Sequence, residues 1–264
     1  MKNNYLLLIF SLLIISCSSD DSNGDNNTST GSFIPTTQGN YWVYDVQSNI
    51  LSGRDSLYMS NDTIINNLVY QKLKTKQLPY GFLSNALNNN GIRQADGKIY
   101  LSGSAGLNFS QDLPFNLSVN DFVIFDENAS DNTQLATISG TINQEIEGYT
   151  LTLNYNLTST SKPSIENFIS GNNQYNIVKP VEITLNLGID VTVQLPEIPI
   201  PFTYPLMPQQ NVVVSTQYYA QGIGAVKTIT DLFYNLAQLP NIELPIPQSG
   251  TEHQEEILVD YSVE

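Results

Sequence analysis

Three runs of strict alternation limit what this chain can become. In Tyr149-Thr-Leu-Thr-Leu-Asn-Tyr-Asn-Leu157 every odd-numbered position is apolar, and Val181-Glu-Ile-Thr-Leu-Asn-Leu187 and Ile189-Asp-Val-Thr-Val-Gln-Leu195 repeat the pattern. Successive side chains of a strand point to opposite faces, so each run predicts a strand with one buried and one wet face. Gly188, between the second and third runs, predicts a bulge or bend in one long strand.

The same reading extends along the chain. Strands are expected at 41–46, 55–58, 63–74, 98–101, 121–125, 134–142, 149–158, 212–219, 225–229 and 256–263. A turn is placed at Ser60-Asn61-Asp62 and a hairpin at Glu147-Gly148. The proline-spaced segments Leu195–Pro208 and Leu239–Pro247 cannot donate regularly to a ladder, so they read as extended or edge segments. Thr230 is expected to cap a short helix over Asp231–Gln238, with Leu232, Phe233, Leu236 and Leu239 on one face. The predicted fold is mainly β: a large curved antiparallel sheet or half-barrel with one or two short helices.

Ahead of this domain stand two segments of different character. Residues 1–16 carry Lys2 and an apolar run from Tyr5 to Ile15. That core has the length of a signal peptide and is too short to span a bilayer. Ile14-Ile15-Ser16-Cys17 resembles the lipobox of bacterial lipoproteins, which implies cleavage before Cys17 and a lipid anchor on its thiol, placing the membrane among the partners. Cys17 is the one cysteine of the chain, so once it is lipidated no disulfide or thiol site remains. Residues 17–32 hold no apolar side chain after Cys17 and predict an acidic, flexible tether. Its Ser18-Ser19-Asp20-Asp21 start resembles the export signal of surface lipoproteins in the Bacteroidetes, so cell surface and periplasm both stay open. Residues 33–264 are read as a single β-rich domain.

The formal charge is −15, from 10 Lys and Arg against 25 Asp and Glu. An acidic surface repels phosphate backbones, so nucleic-acid binding is excluded.

Two patches resemble Bacteroidetes lipoproteins of unknown function. Pro35-Thr-Thr-Gln-Gly39-Asn-Tyr-Trp42-Val-Tyr44 is similar to their G-N-x-W-x-Y opening. Tyr218-Tyr219-Ala-Gln-Gly222-Ile-Gly224-Ala-Val-Lys227 is similar to their Y-A-x-G-x-G-x-V-K strand. The resemblance implies a lipid-anchored β domain, distantly like the half-barrel lipoprotein carriers (LolA/LolB-like) of the outer-membrane sorting pathway. It implies no catalytic residue. On physical grounds Trp42 and Tyr44 share a strand face and should anchor a core, while Gly222 and Gly224 permit a bend or close aromatic packing.

No local pattern singles out chemistry. His253 is the one histidine, without a nucleophile elbow or further metal ligands. Asp126–Asn132 is rich in oxygen but lacks the spacing of an EF-hand, so a solvated turn is expected. No cofactor and no metal are expected. Asp55-Ser56-Leu57 and Asp62-Thr63-Ile64 resemble an O-glycosylation signal of this phylum. Three functions stay open: a non-catalytic binding or scaffold lipoprotein first, a carrier of an apolar ligand second, a hydrolase third. Glycan stacking on Tyr80, Phe82, Tyr204, Tyr218 and Tyr219 belongs with the binding readings.

Overall fold

The computed structural model describes residues 33–110, 113–193, 201–238, 244 and 246–264. The leader, Cys17 and the tether lie outside the described residues, as do the proline-rich residues 194–200 and 239–243.

Six strands pair in chain order as one antiparallel meander: β1 (Tyr41–Ser48), β2 (Ser52–Ile65), β3 (Leu68–Thr75), β4 (Gly91–Ala95), β5 (Lys98–Ser110) and β6 (Leu113–Asp126). A second meander contains β7 (Gln134–Ile146), β8 (Tyr149–Ser161), β9 (Ile165–Ser170), β10 (Asn173–Val193), β11 (Phe202–Ala220), β12 (Gly224–Asn235) and β13 (Ser249–Ser262). In it β9 pairs with β10 off the main path, and β8 follows β10 directly. The two meanders are joined where β1 meets β13, with Tyr41 opposite Ser262 and Ser48 opposite Gln254. The sheet thus curls into a nearly closed barrel, carrying the expected curvature further than a half-barrel.

On the opposite side β6 and β7 are the two ends of the sheet order. Side chains tie that side together. Ser159 Oγ of β8 donates to the Val123 carbonyl of β6 at 2.5 Å. Lys179 Nζ of β10 donates to the carbonyls of Glu127 and Ala129, each at 2.8 Å. The expected solvated turn at 126–132 is therefore pinned by a largely buried ammonium group.

Local chemistry accounts for the turns. Glu147 and Gly148 both take positive φ, 50° and 85°, between the paired Ile146 and Tyr149. Two such residues give a turn whose twist matches the flanking strands. The turn expected at 60–62 lies elsewhere. β2 runs through to Ile65 and turns at Asn66-Asn67, with φ of 49° and 63°. Asparagine tolerates this left-handed conformation. One residue near Ser60-Asn61 is instead absorbed as a bulge, because Met59 faces Leu73 while Asp62 faces Gln71.

β10 passes unbroken through Gly188 against β8, with Leu187 opposite Tyr155 and Ile189 opposite Leu153. The register slip lies on the β11 side, where Leu187 faces Gln210 and Ile189 faces Met207. Pro205 and Pro208 sit in this part of β11, outside the Val213–Ala220 stretch that pairs with β12. An edge is where a strand can lack an N–H donor.

The helix expected over Asp231–Gln238 is not formed. Residues up to Asn235 continue β12 against β13, with Asp231 opposite His253 and Asn235 opposite Ser249. Val226, Thr228, Thr230 and Tyr234 keep the inward phase, so cross-strand pairing overrides the local helical spacing. The described helix, α1 (Phe82–Leu87), lies where none was expected.

Candidate functional site

α1 is six residues long and has no side-chain cap of its own; Gly81 occupies the N-cap. Isolated helices of this length are unstable, so tertiary partners must hold it. Those partners reach in from the barrel wall. Asp55 of β2 continues the inward phase of Leu57 and Met59. Gln254 and Glu256 of β13 continue that of Leu258. Asp55 and Glu256 flank β1, opposite Tyr44 and Val46 respectively.

Together these three side chains accept nearly every N–H of the segment. Asp55 accepts from Tyr80 N at 2.9 Å and from Gly81 N at 2.7 Å. Gln254 Oε1 accepts from Phe82 N at 2.6 Å, while its Nε2 donates to the Tyr80 carbonyl at 3.1 Å. Glu256 accepts from Leu83 N at 2.6 Å, Ser84 N at 3.3 Å and Ser84 Oγ at 3.1 Å. The orphan donors of the helix start are thus satisfied across about 170 residues of sequence. A Cβ at position 81 would stand 2.0 Å from Glu256 Oε2, so only glycine allows this approach.

Glu256 is fully buried. Burial pushes its carboxyl group up to about 7, against the opposing pull of the Leu83 and Ser84 N–H donors; the neighbouring Asp55 adds to the rise. Its donors among the described residues, Leu83 N, Ser84 N and Ser84 Oγ, are all neutral.

Below this latch lies an apolar slot between the meanders. α1 contributes Phe82, Leu83, Ala86 and Leu87; β6 contributes Leu117, Val119, Phe122 and Ile124; Leu157, Ile183, Leu185 and Val213 face them from β8, β10 and β11. Its interior volume is about 90 Å³. A water molecule needs about 10–15 Å³ of such space, so the slot has room for several heavy atoms. Among its polar residues, Asn90 is spent on Ala86, at 2.7 Å, and on both backbone groups of Ser104, at 2.9 Å each. Gln217 Oε1 accepts from Tyr219 OH at 2.5 Å.

The motif residues lie at another place. Trp42 Nε1 donates to the Ile223 carbonyl at 2.5 Å and Tyr44 OH to that of Ala225 at 2.9 Å. A Cβ on Gly224 would sit 3.2 Å from the Trp42 indole. Tyr219 is buried and its ring lies 5.0 Å from that of Phe125. Gly222 lies in the β11–β12 turn, and Gly39 N donates to the Met59 carbonyl at 3.1 Å. The two patches therefore meet in one core and line no part of the slot. His253 lies at the surface, its Nδ1 2.7 Å from Asp231 Oδ1. Among the described residues no cluster of His, Cys, Asp and Glu could hold a metal ion.

Asp55, Gln254, Glu256 and α1 were missed from the sequence. The available signal was phase: polar residues on the buried face of an alternating strand need partners. Asp55 of the first candidate glycosylation signal is such a residue, buried and committed to Tyr80 and Gly81.

No protein-family model matches this chain, and no curated protein matches it by sequence. A solved structure of a Parabacteroides distasonis ATCC 8503 protein, described as a lipoprotein, aligns with a TM-score of 0.34 and 9% identity, covering 88% of this chain and 99% of that one.

Proposed function

We propose that this chain is a lipid-anchored envelope protein whose barrel holds a small apolar ligand and catalyses no reaction. The slot between α1 and the two meanders carries this reading: its walls are apolar and nearly continuous, yet side chains do not fill it. The anchor rests on the sequence, where Ile14-Ile15-Ser16-Cys17 ends an apolar core of signal-peptide length. A ligand site fits better than a plain scaffold, because a scaffold has no use for an unfilled interior. It also fits better than a hydrolase. Asp55 and Glu256 are neighbouring acids, but each of their oxygens is engaged by the Tyr80–Ser84 segment.

The full chain, purified from its own membranes, should release close to one apolar molecule per chain on solvent extraction. Ala86→Trp and Val213→Trp fill the slot and should cut that yield at least tenfold while the β-sheet circular-dichroism signal persists. Equal release from parent and variants would sink the ligand reading. The mass of the same preparation checks the anchor: cleavage before Cys17 with added acyl chains is expected, and a free thiol contradicts it.

A further inference from the structure

A second cavity, of about 320 Å³, opens at the barrel mouth above the slot. Phe82, Asn85 and Val213 line both cavities, so the two adjoin, with the first turn of α1 as part of their common wall. Their chemistry differs. The slot is apolar, whereas the mouth mixes Thr230, Glu252 and Gln254 with an apolar rim of Ile50, Leu51 and Tyr80. Ile50 is 71% exposed and Tyr80 46%, which leaves apolar surface at the opening. Among the described residues no Lys or Arg lines the mouth; its charged side chain is Glu252, opposite Leu232 in the β12–β13 ladder.

An apolar interior opening into a polar mouth matches an amphiphile with one tail. The charge of the mouth then decides the head. An anionic head would sit beside Glu252 with no cation to offset the repulsion, in a chain of net charge −15. Resting on the ligand reading above, we infer that the occupant is a single-chain amphiphile with an uncharged or cationic head, its tail in the slot past Phe82 and its head beside Glu252. A carboxylate, sulfate or phosphate head is selected against. Phe82 stands between the compartments, and its N–H is held by Gln254, itself a mouth residue, so tail entry and the latch meet at one turn.

The test uses the full lipidated chain in phosphatidylcholine vesicles. Three photoactivatable probes share a hexyl chain, short enough for the slot, with a terminal diazirine and differ in head: glycerol, trimethylammonium or sulfonate. Peptide mapping after irradiation should place the label on slot residues such as Leu117 and Leu185, with at least tenfold more from the glycerol and trimethylammonium probes than from the sulfonate. Glu252→Lys at the partly exposed rim should raise sulfonate labelling at least fivefold and lower that by trimethylammonium. Slot labelling that is equal for all heads, or greatest for sulfonate, overturns the head-group assignment and leaves the ligand reading standing. Absence of slot labelling from every probe overturns both.

Discussion

Two carboxylates on opposite walls of the barrel are held by opposite means. Asp121, on β6, takes a cation: Arg93 Nε donates to it at 2.9 Å, Tyr70 OH donates as well, and the guanidinium lies 3.9 Å above the Tyr100 ring. Both partners keep some contact with water, and Arg93 holds the Asp121 carboxyl below its usual range. Glu256 takes neutral donors in a site closed to water, and burial pushes it up to about 7. The comparison shows that a charge-assisted pair is not needed to hold a carboxylate inside this barrel. Neutral donors suffice, two backbone N–H groups and the Ser84 hydroxyl, at the cost of a raised proton affinity.

The largest effect that tests this contrast is Glu256→Ala. It leaves the Leu83 and Ser84 donors unmet in the interior, and each such group costs about 1–3 kcal/mol. Urea denaturation at pH 6 should show a loss of about 3 kcal/mol or more. A loss no larger than that of Arg93→Ala would erase the distinction.

The second effect is on pH dependence, and its sign differs between the sites. A carboxyl group raised from 4.5 to about 7 on folding stabilises fully below pH 4.5, and that contribution is lost as pH rises through 7. At about 1.4 kcal/mol per pH unit it amounts to about 3 kcal/mol. Asp121 behaves oppositely: its contribution is present above its ordinary value of 3.8 and lost as pH falls through the lower folded value. The parent-minus-Glu256→Gln difference in stability should therefore shrink between pH 4.5 and 7. The corresponding difference for Asp121→Asn should grow from acid towards pH 4 and then level. A flat Glu256→Gln difference across that window breaks the comparison.

Gly81→Ala should cost about 2 kcal/mol, because the new methyl group meets the Glu256 carboxylate held by three donors. Glu256→Ala should relieve this steric part, so the double variant should be less destabilised than the sum of the two singles. Strict additivity in a double-mutant cycle would show that the contact is not the cause. Smallest is Arg93→Ala, about 1 kcal/mol in thermal or urea denaturation, since Asp121 can rehydrate where it stands.

How far the sequence disclosed these arrangements follows from the range of the interactions. The hairpin at Glu147-Gly148 and the long strand through Gly188 are set by a few adjacent residues, and both were legible. The 60–62 turn misled because Asn61-Asp62 and Asn66-Asn67 are equally turn-forming by composition; pairing of β2 with β3 through Ile65 and Leu68 decides between them. Asp231–Gln238 misled for a related reason, since β13 lies beside it only in the folded barrel. α1 carried no local signal because its caps come from Asp55, Gln254 and Glu256. The slot was illegible altogether: it is a void between meanders, and no residue pattern announces the absence of a side chain.

The β1–β13 seam has a consequence for assembly. Each meander is built from neighbours in the chain, apart from the β8–β10 pairing around β9, and can zip by successive hairpins. The seam unites residues some 200 positions apart, so its closure is the step in forming this sheet that carries the largest loop-closure entropy. Before that step two unpaired strand margins, Tyr41–Ser48 and Ser249–Ser262, face solvent as sticky rims. A chain whose halves are complete but unjoined can marry the complementary half of a sibling, so exchanged dimers are the natural misassembly of this architecture at high concentration.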